Sequence, residues 1–113
     1  MRYCFDLDGT LCTLEVDGMD EGIKKDILQY TDAKPIQDRI DFVNKLHEEG
    51  HYIIIETARG KMSGYNWLEE TEQQLNGWGL SYNELRTGVK QAADFYIDDK
   101  GINADVFFDE VLD

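Results

Sequence analysis

The chain has 113 residues, 42% of them hydrophobic, and its 24 acidic against 11 basic residues give a net charge of −13 at pH 7. This length fits one domain, and the apolar and aromatic content favours a folded core over a disordered acidic tail. The charge argues against nucleic acid as a partner, because such a surface repels phosphate backbones. The sequence has no apolar run of 18 residues, so no membrane span is predicted.

The N-terminal residues predict a cytoplasmic protein, because Met1 is followed almost at once by a strand, without the basic and long apolar segments of a signal peptide. The two cysteines, Cys4 and Cys12, are too few for a disulfide framework. Cys4 lies in an apolar run, where we expect a small buried side chain.

The first predicted element is a buried strand from Tyr3 to Leu7, which runs into a loop at Gly9 and Thr10. Residues 11–34 are polar and acidic, and we expect a flap or loop insertion that holds a small turn or hairpin. The stretch PIQDRIDFVNKLHEEG then predicts a helix, because its apolar residues recur at helical spacing between Pro35 and Gly50.

The second half of the chain continues the alternation of strands and helices. HYIIIE is typical of a strand covered on both faces, and a second helix is predicted by the spacing of Leu68, Thr71, Leu75 and Trp78. Short strands are predicted around Glu84–Thr87 and at Asp94–Ile97, before a terminal ADVFFDEVL. This order indicates an α/β domain with a mainly parallel sheet.

Polar residues follow several of these strands, where ligands of such sheets bind. They are Asp6 and Asp8 after the first strand, Thr57 after the second, and Asp98 with Asp99 after the last. Residues two apart on a strand face the same side, so Asp6 and Asp8 share one space. Four acids crowded together repel one another unless a hard cation balances them, and oxygen ligands are those that Mg²⁺ prefers. We therefore infer a Mg²⁺ site.

The motifs FDLDGT, IIIETAR with Thr57, GVKQAAD with Lys90 and YIDDK resemble, in order and spacing, the four motifs of the haloacid dehalogenase-like phosphohydrolases. AKPI, EEGH, TARG and YIDDKGIN also resemble the small bacterial and phage members, some of which accompany capsule or surface-polysaccharide synthesis. The resemblance implies a three-layer Rossmann-like core with helices on both faces of the sheet. Larger relatives carry a separate cap domain, for which the gaps between the motifs are too short here, so we expect residues 1–113 to form a single domain without a cap.

The same resemblance implies a role for each motif residue. Asp6 would be the nucleophile that forms an aspartyl-phosphate, and Asp8 would be the general acid for the leaving alcohol and then the general base for water. Thr57 would donate a hydrogen bond to a phosphoryl oxygen. Lys90 would hold the phosphoryl group and Asp6 together, offsetting the negative charge of the transition state.

The implied metal ligands are Asp6, Asp98, Asp99 and the backbone carbonyl of Asp8. The implied substrate-binding residues are Gly9, whose turn would aim Thr10 and nearby amides at the phosphate, together with Thr10, Ala58 and Arg59. A site without a cap admits bulky small-molecule phosphomonoesters, of which we expect a sugar phosphate, or relies on a neighbouring subunit of a homo-oligomer to cover it.

Three other interpretations remain open. Asp8 and Gly9 also fit an ordinary turn, Thr57 a helix cap, and Asp98–Asp99 an exposed loop pair. A receiver-like signalling domain gathers similar groups around a phosphorylated aspartate, although its adjacent acid pair ends the first strand, whereas here the pair comes last. The third interpretation is a catalytically silent binding subunit.

Overall fold

The computed structural model describes residues 1–13, 30–60, 64–88 and 101–112. The predicted strand at Asp94–Ile97 and most of the predicted flap, residues 14–29, lie outside these ranges. Within them, every helix is too short or too polar to cross a bilayer.

Three parallel strands form the sheet: β1 (Arg2–Asp6), β2 (Tyr52–Thr57) and β3 (Glu84–Thr87). Their spatial order is β1-β2-β3, with Asp6 beside Glu56 and Thr57 beside Thr87. Because the strands are parallel, their carboxyl ends meet at one edge of the sheet. The predicted α/β fold with a parallel sheet is confirmed.

Three helices accompany the sheet: α1 (Gln37–Glu48), α2 (Leu68–Gly77) and α3 (Ala104–Leu112). The first two connect successive strands, as the apolar spacing predicted, and α3 forms from the terminal ADVFFDEVL. In α1 the three buried residues are spaced three apart and lie on one stripe of the helix: Ile40, Val43 and Leu46.

The hydrophobic core lies on the face of the sheet that carries Phe5, Ile53 and Ile55. All three helices contribute to this core, and the Phe108 ring of α3 stacks on Phe5 with ring centroids 6.0 Å apart. Ile54 points to the opposite face and is also buried, so the prediction that β2 is covered on both faces is confirmed. A layer of helices on that opposite face stays a prediction.

Cys4 corrects one expectation, because its side chain is exposed, not buried. Successive residues of a strand point to opposite faces, so Cys4 lies on the other side of the sheet from Phe5 and the helices. Polar groups lie near the start of the strands on this side: Arg2 lies over the Tyr52 ring at 4.6 Å, and the Tyr52 hydroxyl donates to Glu84 at 3.2 Å. An apolar run of this length does not reveal which of its faces is covered.

Candidate functional site

The predicted residues Asp6, Asp8 and Thr57 come together at the carboxyl ends of β1 and β2. The Thr57 hydroxyl donates to the Asp8 carboxylate at 3.0 Å and accepts the backbone N–H of Arg59 at 3.2 Å. Thr57 is buried and ends β2, whereas α2 begins only at Leu68. The helix-cap interpretation of Thr57 is therefore wrong.

The turn that follows β1 closes on itself through the carbonyl of Leu7. That oxygen accepts the amides of Thr10 at 3.1 Å, Leu11 at 2.9 Å and Cys12 at 3.3 Å, and the Gly9 amide donates to the Cys12 carbonyl at 2.9 Å. Gly9 has φ +84°, a conformation that glycine adopts without strain. These four amides are therefore donated within the turn, and the expectation that the turn aims Thr10 and nearby amides at a phosphate stays a prediction.

The side chain of Thr10 points to the nucleophile candidate instead, since its hydroxyl donates to the Asp6 carboxylate at 3.4 Å. The Thr10 carbonyl accepts a hydrogen bond from Arg39 of α1 at 3.0 Å, and Arg39 also pairs with Asp105 of α3 at 2.9 Å. The turn is thus tied to two helices. Substrate contacts by Gly9 and Thr10 stay predictions.

Arg59 forms a bidentate pair with Asp8. Its Nε and Nη2 donate to the two oxygens of Asp8 at 3.0 and 2.7 Å, and the two side chains are only 1% and 12% exposed. Planar guanidinium and carboxylate groups in this arrangement form strong, well-oriented hydrogen bonds. The predicted contact between Arg59 and substrate stays a prediction. In the structure the guanidinium of Arg59 pairs with Asp8.

The remaining edge of the Arg59 guanidinium is held by α2. Nη1 donates to Gln74 Oε1 at 2.7 Å and to Thr71 Oγ1 at 3.3 Å, and the Tyr30 ring lies 4.7 Å from the guanidinium carbon. Gln74 in turn donates to the Tyr30 carbonyl at 2.8 Å. Sequence reasoning missed Gln74 and Tyr30, and it recognised Thr71 only as a residue on the buried stripe of a helix.

Cys12 is buried beside the same carboxylate, with Sγ 3.5 Å from Asp8 Oδ1. Burial, followed by the nearby charge of Asp8, raises the pKa of Cys12 to about 12. The thiol is therefore protonated at neutral pH and donates to Asp8, which makes it a poor nucleophile and a poor metal ligand.

The loop after β2 packs closely behind Arg59. Gly60 has φ +84°. The Tyr65 carbonyl lies where the Cβ of any other residue at position 60 would have to be. Trp67 is buried in the same loop, and its ring meets that of Tyr30 edge-on with centroids 5.2 Å apart. This packing fixes the backbone that carries Arg59. Ala58 is half-buried between Thr57 and Arg59, and its predicted substrate contact stays a prediction.

The predicted residues Lys90, Asp98 and Asp99 lie outside the described residues, and with them half of the predicted metal ligands. In the part of the chain that the structure describes, no three acidic, histidine or cysteine residues form a group suited to a metal. Both carboxylate oxygens of Asp8 already accept hydrogen bonds, which is in keeping with a metal contact through its backbone carbonyl.

Comparison with known proteins identifies the fold. No protein-family model and no curated protein matches the chain. A structural-genomics target from Vibrio cholerae is similar, with a TM-score of 0.72 and 24% identity over 94% of this chain and 85% of that one. A chain in a structure of the Pnkp1/Rnl/Hen1 complex has a TM-score of 0.52 and 21% identity; the match covers 97% of this chain and 34% of that one. At these identities the likeness shows the fold alone.

Proposed function

We propose that this protein is a Mg²⁺-dependent phosphomonoester hydrolase that acts through an aspartyl-phosphate. The observation that carries the proposal is the placement of Asp6 and Asp8 at the carboxyl end of β1, with the Asp8 side chain held by Thr57 and Arg59. One carboxylate accepts a weak hydrogen bond from Thr10, whereas its neighbour is fixed by a buried cation. Two carboxylates in such different surroundings suit two different roles.

In the first step, a carboxylate oxygen of Asp6 attacks phosphorus, the new O–P bond forms, and the bond to the leaving oxygen breaks. Asp8 gives its proton to that leaving oxygen. In the second step, Asp8 takes a proton from water, whose oxygen attacks phosphorus and releases Asp6 and inorganic phosphate. A carboxylate is a weak nucleophile, so in-line placement and charge stabilisation supply most of the rate enhancement.

Both oxygens of Asp8 accept hydrogen bonds from Arg59 and Thr57, so the proposed acid role requires one of these donors to give way when Asp8 carries a proton. The bidentate pair with Arg59 fixes the plane of the carboxylate, so that little rotational freedom is lost when a proton moves to or from the reacting oxygen. Thr57 donates to the same group at 3.0 Å. A hydrogen bond from Thr57 to a phosphoryl oxygen would therefore require its hydroxyl to change partner when substrate binds.

The donor set of the proposed metal site consists of carboxylate and carbonyl oxygens, which fits Mg²⁺. Asp6, Asp98, Asp99 and the backbone carbonyl of Asp8 would hold the ion, which when bound supplies positive charge that offsets the charge of the phosphoryl group. Lys90 would hold the phosphoryl group against Asp6. The substrate we propose is a sugar phosphate.

The strand order supports this proposal over a receiver-like signalling domain. In the receiver-type order, the first strand lies between the second and third, whereas here β2 lies between β1 and β3. The observed order matches one half of the doubly wound Rossmann arrangement. We propose the three-layer core without a cap domain, as a single cytoplasmic domain over residues 1–113 whose open site admits bulky phosphomonoesters or relies on a second subunit to cover it.

Separating the two carboxylates tests the proposal. Asp6→Asn should abolish turnover, whereas Asp8→Asn should still accept phosphate from an activated phosphomonoester and lose the general-base step, worth roughly 10² to 10⁴ in rate. Intact-mass spectrometry of Asp8→Asn should then show one added phosphoryl group, labile to hydroxylamine and absent from Asp6→Asn. Thermal unfolding of both variants serves as the control for folding.

Two results would count against the proposal. Equal phosphorylation of Asp6→Asn and Asp8→Asn would overturn the assignment of roles. A wild-type phosphoenzyme that persists for hours would favour the receiver-like alternative over a hydrolase.

A further inference from the structure

The Gln74 side chain of α2 joins two segments that are distant in sequence. Its Oε1 accepts from Arg59 Nη1 at 2.7 Å, and its Nε2 donates to the Tyr30 carbonyl at 2.8 Å. Thr71, one turn earlier on the same helix, is fully buried and accepts from the same Nη1 at 3.3 Å. Helix α2 therefore presents two acceptors to the guanidinium.

These acceptors lie on one side of the guanidinium, and Asp8 lies on another. Asp8 uses the edge formed by Nε and Nη2, Gln74 and Thr71 use Nη1, and the Tyr30 ring covers one face at 4.7 Å. A planar group held at both edges and on a face cannot rotate without breaking several hydrogen bonds. The plane of the Asp8 carboxylate is thus set by α2, although no residue of α2 contacts Asp8 in the described structure.

We propose that Gln74, supported by Thr71, is a positioning residue that acts through Arg59 to hold the Asp8 carboxylate in the orientation needed for proton transfer. The inference rests on the proposed function and deepens it, because it extends the catalytic apparatus to α2. Gln74 would act through its contact with Arg59 and not through the reacting atoms.

A positioning role has a kinetic signature that a purely structural role lacks. A leaving group such as p-nitrophenolate departs without much help from an acid, whereas the alkoxide of benzyl alcohol needs a proton as it departs. Misorienting Asp8 should therefore slow the first step far more for benzyl phosphate than for p-nitrophenyl phosphate. Partial unfolding would lower the rates of both substrates by the same factor.

Three variants make the comparison. In Gln74→Leu both hydrogen bonds are lost, and we expect kcat/KM for benzyl phosphate to fall about 10-fold or more, with a much smaller loss for p-nitrophenyl phosphate. The ratio kcat/KM is compared because it reports the first step and not the phosphoenzyme hydrolysis that both substrates share. Gln74→Glu keeps an acceptor for Arg59 and should recover most of the rate. Gln73→Leu, an exposed neighbour on the same helix, is the matched control and should behave as wild type.

The outcomes separate the inference from the proposed function. A wild-type protein that hydrolyses neither substrate overturns the proposed function. An active wild type whose Gln74→Leu variant loses kcat/KM by equal factors on both substrates, or not at all, overturns the inference alone. Should Gln74→Leu fail to fold in a thermal-unfolding assay, Gln74→Met, with an unbranched side chain of similar length, carries the same test and the same criteria.

Discussion

The Arg59 guanidinium and the Asp8 carboxylate form a buried bidentate pair, with Nε–Oδ2 and Nη2–Oδ1 distances of 3.0 and 2.7 Å. One partner follows β1 and the other follows β2, so the pair links the ends of two strands. The pair therefore contributes to the stability of the fold as well as to the proposed chemistry. Its effects on stability and on activity can be measured separately.

Removing Arg59 should destabilise the fold. In Arg59→Leu the Asp8 carboxylate, only 12% exposed, loses its countercharge, and we expect the free energy of unfolding to fall by about 3–5 kcal/mol in urea titrations. Arg59→Lys keeps the charge without the bidentate geometry and should lose less. Arg86→Leu is the control, because the Arg86 side chain is 44% exposed and solvent screens its pairs with Glu84 and Glu56, which should contribute little to stability. Equal losses at both positions would contradict this prediction.

Gly60 should tolerate no side chain. In Gly60→Ala the new Cβ meets the Tyr65 carbonyl, so the loop behind Arg59 must move, and we expect a loss of about 2–3 kcal/mol in the free energy of unfolding. Gly64→Ala is the matched control, because Gly64 has φ +78° with open space around it, and it should lose only about 1 kcal/mol from backbone strain. If the two variants were equally stable, the close packing of Gly60 against Tyr65 would be wrong.

Cys12 should make stability depend on pH in alkaline solution. Burial raises the pKa of this thiol from 9.0 to about 12, so between these values the folded state retains a proton that the unfolded state loses. The protonated thiol contributes fully to the free energy of unfolding below pH 9, and this contribution is lost as pH rises towards 12. At pH 10 the difference in free energy of unfolding between wild type and Cys12→Ala should have shrunk by about 1.4 kcal/mol relative to pH 8. Parallel pH curves for the two proteins would exclude the raised pKa.

Metal removal should abolish phosphatase activity. We expect a chelator to stop turnover and added Mg²⁺ to restore it, because the proposed site relies on carboxylates for which the ion supplies the balancing charge. Asp98→Asn and Asp99→Asn should need a higher Mg²⁺ concentration for half-maximal activity while unfolding near the wild-type temperature. Asp109→Asn, at an exposed position on α3, is the matched control. Unchanged turnover in chelator would show that the proposed metal site is wrong.

Local periodicity was enough to predict most of the described elements. The spacing of Ile40, Val43 and Leu46 predicted α1, and the isoleucines of HYIIIE predicted β2, because each pattern reflects burial along a single element. The meeting of Asp6, Asp8 and Thr57 also followed from sequence, since it depends only on the direction of parallel strands.

The surroundings of Arg59 could not be predicted in this way. Arginine is normally exposed, and its burial here depends on three partners from separate segments: Asp8, Gln74 and Tyr30. No periodic pattern relates these positions. The same reasoning explains the closed turn at Leu7, whose hydrogen bonds depend on backbone conformation and not on the side chains that a motif records.

Each of the two arginines near the end of β1 is paired with an aspartate, and these pairs affect how an anion approaches this end of the strand. Arg59 is paired with Asp8 at 2.7 Å, and Arg39 with Asp105 at 2.9 Å, so an arriving phosphate would have to compete with a carboxylate for either guanidinium. In the proposed enzyme, Lys90 and a bound Mg²⁺ would supply further positive charge. We therefore expect the affinity for a phosphate to depend on the divalent ion as well as on the cations of the protein itself.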